Sequence, residues 1–229
     1  MFEGFSQETI DFMWNLRFNN EKPWFEAHKD EYLRSFLNPM KDLGKAVFEQ
    51  ISSDFGKHGF IHKVSRIYKD ARRVKGGDPY RTNLWFSIER PSEEWTSTPV
   101  FWFELAPENW SYGLGYYQAR PKTMAKFRAR IDKNPKTFEK LIAPLVKQNE
   151  FVLDGPEYSR KKDAPTSGTE AWYNRKSFSL IHIQPNGEEL FSGKLVTRIV
   201  EGYKFLMPFY DYFITLDSDP DPDKPEQAG

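Results

Sequence analysis

Apolar and polar positions change period twice along the chain. The N-terminal stretch is helical in rhythm. Ser6 stands where a cap belongs, Phe5 can staple against Ile10, and Ile10, Met13, Trp14 and Arg17 fall on neighbouring turns to about Phe18. Asn19-Asn20-Glu21-Lys22-Pro23 reads as a turn, and Pro23 suits the first position of a second helix, where Trp24, His28 and Leu33 or Tyr32 follow at helical spacing. Asn38-Pro39 opens another helix. Its stripe Met40, Leu43, Val47, Ile51 and Phe55 is stopped by Gly56.

The middle of the chain alternates instead. Val64 to Lys69, Leu84 to Glu89, Val100 to Leu105 and Trp110 to Tyr117 are strand candidates joined by short polar connections. Helices return at Pro121, with Met124, Phe127 and Ile131 on one face, and at Asn134-Pro135, where Pro144 should bend or end the helix. Residues 154–170, rich in Pro, Gly, Ser, Lys and Asp, read as a long mobile loop. Phe178 to Ile183 gives a last strand, and Leu195, Ile199, Tyr203 and Leu206 a last helix that Pro208 should interrupt. This order predicts an α+β fold: an antiparallel sheet of about four to six strands packed with helices from the N-terminal, central and C-terminal segments. Residues 1–214 are expected to form one domain and 215–229 a disordered acidic tail.

Composition changes the picture of the core. Phe, Tyr and Trp number 20, 11 and 7, more than Ile, Leu and Val together. A mean hydropathy of -0.73 would suit disorder, but disordered chains are poor in aromatic residues. A folded core built largely from rings is expected. With no Cys there is no disulfide framework, thiolate metal site or Cys nucleophile. No stretch approaches the apolar length of a membrane span, and the first residues have no signal-peptide pattern, so the chain reads as a soluble cytoplasmic protein.

Charge is uneven although it sums to zero. Residues 57–81 hold eight bases and two acids, and residues 120–147 nine bases and two acids. From Thr215 to Gly229 there are five acids and one Lys. The first basic block contains the densest polar run, Arg66 to Asn83. Strand alternation would place Arg66, Tyr68, Asp70 and Arg72 on one face. A carboxylate between two guanidinium groups orients them, and their free edges can take a phosphate or carboxylate bidentately. Gly76-Gly77 would let backbone approach a ligand, and Tyr80 and Asn83 add neutral donors and acceptors. The same residues would equally serve a purely structural ion-pair network. Arg120, where a strand feeds a helix, is a further candidate for the same pocket.

The run from Arg66 to Asn83 resembles the signature of the domain-of-unknown-function family 2461. Arg66, Asp70, Arg72, Asp78, Pro79, Tyr80 and Asn83 stand in matching places; Arg73 stands where that family prefers Phe, and Arg81 where it prefers Lys. Asn19-Asn20, Trp24-Phe25, His28, Tyr32, Pro39, Gly113, Tyr116 and the helix from Arg120 to Ile131 are also similar, so the likeness spans roughly residues 3–213. It implies a mainly bacterial, cytoplasmic α+β family with no assigned activity.

Other motifs carry less. His58 and His62 are four apart, but Gly56 and Gly59 argue against a helix there, and no metal site is expected. His28 and His182 are expected to pack. Gly113-Leu-Gly115 starts like a dinucleotide fingerprint and fails at the third glycine. Trp85, Trp102 and Trp110 are expected in the core, with ring stacking of a ligand as the minor reading. No cofactor is implied. The leading expectation is a site for an anionic small molecule, phosphate-bearing ones included, with Arg66, Arg72, Asn83 and Arg120 binding and Asp70 or Tyr80 moving a proton. The rival is a nucleic-acid or protein-binding module that uses the basic blocks at 57–81 and 120–147.

Overall fold

The computed structural model describes residues 1–70 and 77–222. Six strands form an antiparallel sheet in the order β1-β2-β3-β4-β6-β5: β1 Ile61–Val64, β2 Leu84–Glu89, β3 Val100–Leu105, β4 Asn109–Gly115, β5 Val152–Asp154 and β6 Ser179–Pro185. With the helices this is the α+β class. The chain divides into two compact units. Unit 1 is Met1–Arg90, Phe101–Tyr112 and Ile183–Lys204; unit 2 is Pro91–Val100, Gly113–His182 and Phe205–Gly229.

In unit 1, α1 (Gln7–Phe18) starts at Ser6, whose N–H donates to Thr9 Oγ1 at 3.2 Å. A helical run then passes from α2 (Lys22–Ala27) and α3 (Lys29–Glu31) through a π-helical segment, Tyr32–Leu37, into α4 (Asn38–Asp54). Pro39 therefore continues a helical run rather than opening a fresh one, and the Ser35 carbonyl one turn before it accepts the Thr9 hydroxyl at 2.6 Å in place of the N–H that proline lacks. Met40, Leu43, Val47 and Ile51 are buried as the stripe requires. β1 and β2 pair from Ile61↔Glu89 to Val64↔Phe86, and β2 and β3 from Leu84↔Leu105 to Ile88↔Phe101. One face of this sheet carries Phe86 and Phe103, whose rings stack at 5.5 Å, and Phe103 meets Phe5 and Trp110 at 6.2 and 6.0 Å. Gly44 lies directly over His62, whose imidazole would stand 2.2 Å from a Cβ there. Burial holds that imidazole below its ordinary pKa.

Unit 2 has its own ring cluster. Phe127 of α5 (Pro121–Lys133), Phe138 of α6 (Pro135–Val146), Trp172 of α7 (Glu170–Tyr173), Phe178 and Phe213 meet at centroid separations of 5.0–6.2 Å. β5 and β6 pair from Val152↔Ile181 to Asp154↔Ser179. Pro144 lies inside α6. Pro208 lies inside α8 (Leu195–Ile214), which continues through it. Leu206, Met207, Phe209 and Tyr210 on either side are buried, so packing outweighs the lost backbone hydrogen bond. The glycine pair is explained by close approach: a Cβ on Gly113 would lie 2.0 Å from the Leu180 carbonyl oxygen. Among the described residues, no helix is long and apolar enough to cross a membrane.

Candidate functional site

The described parts of the polar run, residues 66–70 and 77–83, pair as a two-stranded ribbon that extends β1 and β2 irregularly. The Ser65 N–H donates to the Trp85 carbonyl at 2.8 Å, the Arg81 N–H to the Ile67 carbonyl at 2.7 Å and the Lys69 N–H to the Pro79 carbonyl at 2.9 Å. Tyr68 and Tyr80 face each other in an isolated antiparallel bridge. The regular strand ends at Val64, because pairing with β2 begins at Ile61 and the ladder loses register at Ser65, whose hydroxyl accepts the Trp85 N–H at 2.9 Å. Alternation nevertheless survives in exposure: Ser65 and Ile67 are buried, and Arg66 and Tyr68 are exposed.

Two other elements seat this ribbon. The Asn20 side chain brackets the Tyr80 peptide, accepting its N–H at 3.0 Å and donating to its carbonyl at 3.1 Å. Phe25, fully buried, stacks on Tyr80 at 4.2 Å and meets Tyr68 and Tyr32 at 5.8 and 5.3 Å. Tyr80 is thus a packed ring, and its phenol is held above the ordinary value by burial, Tyr68 and Glu26. Trp24 stacks on His28 at 4.0 Å, and His28 Nδ1 lies 2.8 Å from the Trp24 carbonyl.

The sheet face opposite Phe86 and Phe103 carries a feature that sequence reasoning missed. Register pairs Trp85 with Glu104 and Ser87 with Trp102, so all four share that face. Trp85 and Trp102 are therefore half-buried rather than core, unlike Trp110, which is fully buried. Two acids on this face differ. Glu89 is ion-paired with Lys63 and accepts the Ser87 hydroxyl at 2.8 Å. Glu104 makes no salt bridge among the described residues. Burial pushes its carboxyl above the usual range, only partly offset by the Asn83 side chain as hydrogen-bond partner and by the Arg81 charge. Desolvation of this kind, beside a specific charge, is a physical mark of a functional group. The signal was legible in principle: Glu104 is the one acid in the aromatic strand Val100–Leu105.

The predicted site residues are thus only partly gathered. Asn83 joins Glu104 and Arg81. Arg66 is exposed on the ribbon and makes no salt bridge among the described residues, and Asp70 is half-buried at the end of the described ribbon strand. Arg72, with Gly76, lies outside the described residues. Arg120 belongs to unit 2, where its guanidinium pairs with Glu94 and its N–H donates to Ser97 Oγ at 2.9 Å. The basic face of α5 is also occupied. Lys122 pairs with Asp221 at 3.0 Å, Lys126 donates to the Asp217 carbonyl at 2.7 Å, and Arg130 bonds Asp219 and the Tyr212 carbonyl, both at 2.6 Å. Residues Thr215–Ser218 form a 3-10 turn that sets up these contacts.

An antiparallel sheet packed with helices defines an α+β protein. The chain belongs to the DUF2461 family of conserved hypothetical proteins, whose profile matches residues 8–212. No curated protein matches it.

Proposed function

We propose that the protein binds a small anionic molecule at the Arg81–Asn83–Glu104 corner of unit 1. One observation carries this reading: Glu104 is a desolvated carboxyl with the Arg81 guanidinium and the Asn83 amide beside it and two tryptophan rings on its sheet face. The guanidinium of Arg81 supplies positive charge for a phosphate or carboxylate. A carboxyl raised towards neutrality donates a hydrogen bond to an anion, where an ionised one would repel it. The Trp85 and Trp102 faces offer apolar area for the remainder of the ligand. Arg66 and Asp70, on the adjoining ribbon, extend the polar rim.

Glu104 is also the better proton carrier. Tyr80 keeps its proton throughout neutral pH because its phenol is raised, whereas a raised carboxyl moves towards the range where it can exchange one.

The reading has a proton-linked test. A thermal-shift screen of phosphorylated and carboxylated metabolites should find a stabilising anion, and its affinity should strengthen as pH falls from neutrality towards the ordinary carboxylate value and Glu104 takes up a proton. Glu104→Gln should flatten that pH dependence, and Arg81→Gln should remove the shift. A wild-type protein that responds to none of the anions, or a Glu104→Gln variant that keeps the full pH dependence, defeats the proposal.

A further inference from the structure

Unit 2 carries a second charged cluster, unrelated to Glu104. Three cations converge on the ring of Tyr158: the Arg128 guanidinium at 5.4 Å, Lys162 Nζ at 5.8 Å and Lys176 Nζ at 5.9 Å from its centroid. They come from three different places, α5, the loop after β5 and the approach to β6. Arg128 also donates to the Tyr158 hydroxyl at 3.4 Å. None of the three makes a salt bridge among the described residues. Neighbouring acids are engaged elsewhere: Glu157 with Arg175, Glu170 with Lys161 and Asp132 with the Tyr173 hydroxyl.

The cluster is built rather than splayed. Asn174, 2% exposed, ties the loop down. Its side chain accepts the Lys162 N–H at 2.7 Å and donates to the Lys162 carbonyl at 3.2 Å, while its own carbonyl accepts the Tyr158 N–H at 2.9 Å. The Lys176 N–H donates to the Pro156 carbonyl at 2.8 Å. The backbones of both lysines and of Tyr158 are therefore fixed by a hydrogen-bonded frame around one buried amide. A cavity of about 410 Å³ opens at Lys162, lined also by Lys161, Thr166 and Ser167, with Asp163 and Glu170 on its wall.

Like charges fixed around one ring repel each other, and an anion among them relieves the repulsion. The cation–π attraction of the ring offsets part of that cost, and the guanidinium offers a fork for phosphate oxygens. We infer that Arg128, Lys162, Lys176 and Tyr158 form a binding site for a phosphate-bearing small molecule. Arg128 takes two phosphate oxygens, and the two lysines act as point charges.

The test is calorimetric titration of the full chain with inorganic pyrophosphate at low ionic strength. Saturable binding at one site is expected. Lys162→Gln and Lys176→Gln, both at exposed positions, should each weaken it by about tenfold, the worth of one charge-assisted hydrogen bond. Arg128→Lys should weaken it similarly, because the charge stays but the fork is lost. Lys133→Gln and Lys136→Gln, exposed bases from the same stretch, should leave affinity within about twofold. Absence of saturable binding overturns the inference. So does an equal loss in Lys133→Gln and Lys162→Gln, which would mean diffuse attraction by the whole basic stretch. Arg81→Gln should have no effect; a loss there would move the anion to the Glu104 corner and likewise overturn it.

Discussion

The two basic stretches look alike in the sequence and meet different fates in the fold. Residues 120–147 find much of their counter-charge within unit 2: Glu94 for Arg120, Asp221 for Lys122, Asp219 for Arg130. Residues 57–81 spend Lys63 on Glu89 but leave Arg66 and Arg81 without a salt bridge among the described residues. In the first stretch, aromatic packing and an amide bracket hold the backbone at Tyr80. Net charge per segment therefore measures supply but not use. A local excess marks a ligand site only where the fold brings no acid to it. Within 120–147, Arg128, Lys133, Lys136, Lys140 and Lys147 likewise make no salt bridge among the described residues, but only Arg128 is gathered with other cations on one ring.

That contrast can be broken by substitution, and the largest effect should come from the packing that seats the first stretch. Phe25→Ala should cost about 3–5 kcal/mol in urea unfolding, with the Tyr80 ring losing its stacked partner. A cost near that of a surface change would mean that the ribbon is held by its charges after all. Arg130→Ala should cost about 1–3 kcal/mol, since it leaves Asp219 without its guanidinium partner and takes one of two side-chain donors from the Tyr212 carbonyl. A neutral result would show that these pairs are ornamental and that the second stretch is as available as the first.

Glu104 supplies a pH signature. Its carboxyl is raised in the fold, so the native state holds the proton more tightly than the unfolded chain. Its contribution is favourable at acid pH and is lost as pH rises from the ordinary carboxylate value through the folded one. Glu104→Gln should therefore be relatively more stable at neutral pH than in acid, read from paired denaturant curves at the two conditions; an unchanged difference refutes the shift. Arg66→Ala should be the mildest, within about 0.5 kcal/mol of wild type, because the residue is exposed and makes no salt bridge among the described residues. A larger loss would mean that Arg66 is already spent inside the fold.

Much of the architecture was legible because periodicity reports burial directly. α1, α4, β2 and β3 lie where their apolar stripes put them. Other features depend on partners far along the chain. β5 is three residues long beside a Pro- and Gly-rich stretch, and only its pairing with β6 makes it a strand. β1 is set by its register with β2 rather than by its own alternation. Pro208 looks like a stop, yet burial on both sides of it prevails. The loop over 154–170 looks mobile by composition, yet Asn174, a residue outside it, anchors its middle. The site was half visible. Asn83 and the arginines stand out in a polar run, whereas Glu104 is a lone acid in an apolar strand, and its meaning comes from the face onto which register turns it.

The bracket that Asn20 places on the Tyr80 peptide has a mechanical consequence. One amide stands in for a missing neighbouring strand, and it reaches across 60 positions of sequence. The turn after α1 therefore works as a handle on the ribbon: one residue beyond the gripped peptide is Arg81, and three beyond it is Asn83. A partner or modification that shifted this turn would pull on Arg81 and Asn83 without touching them.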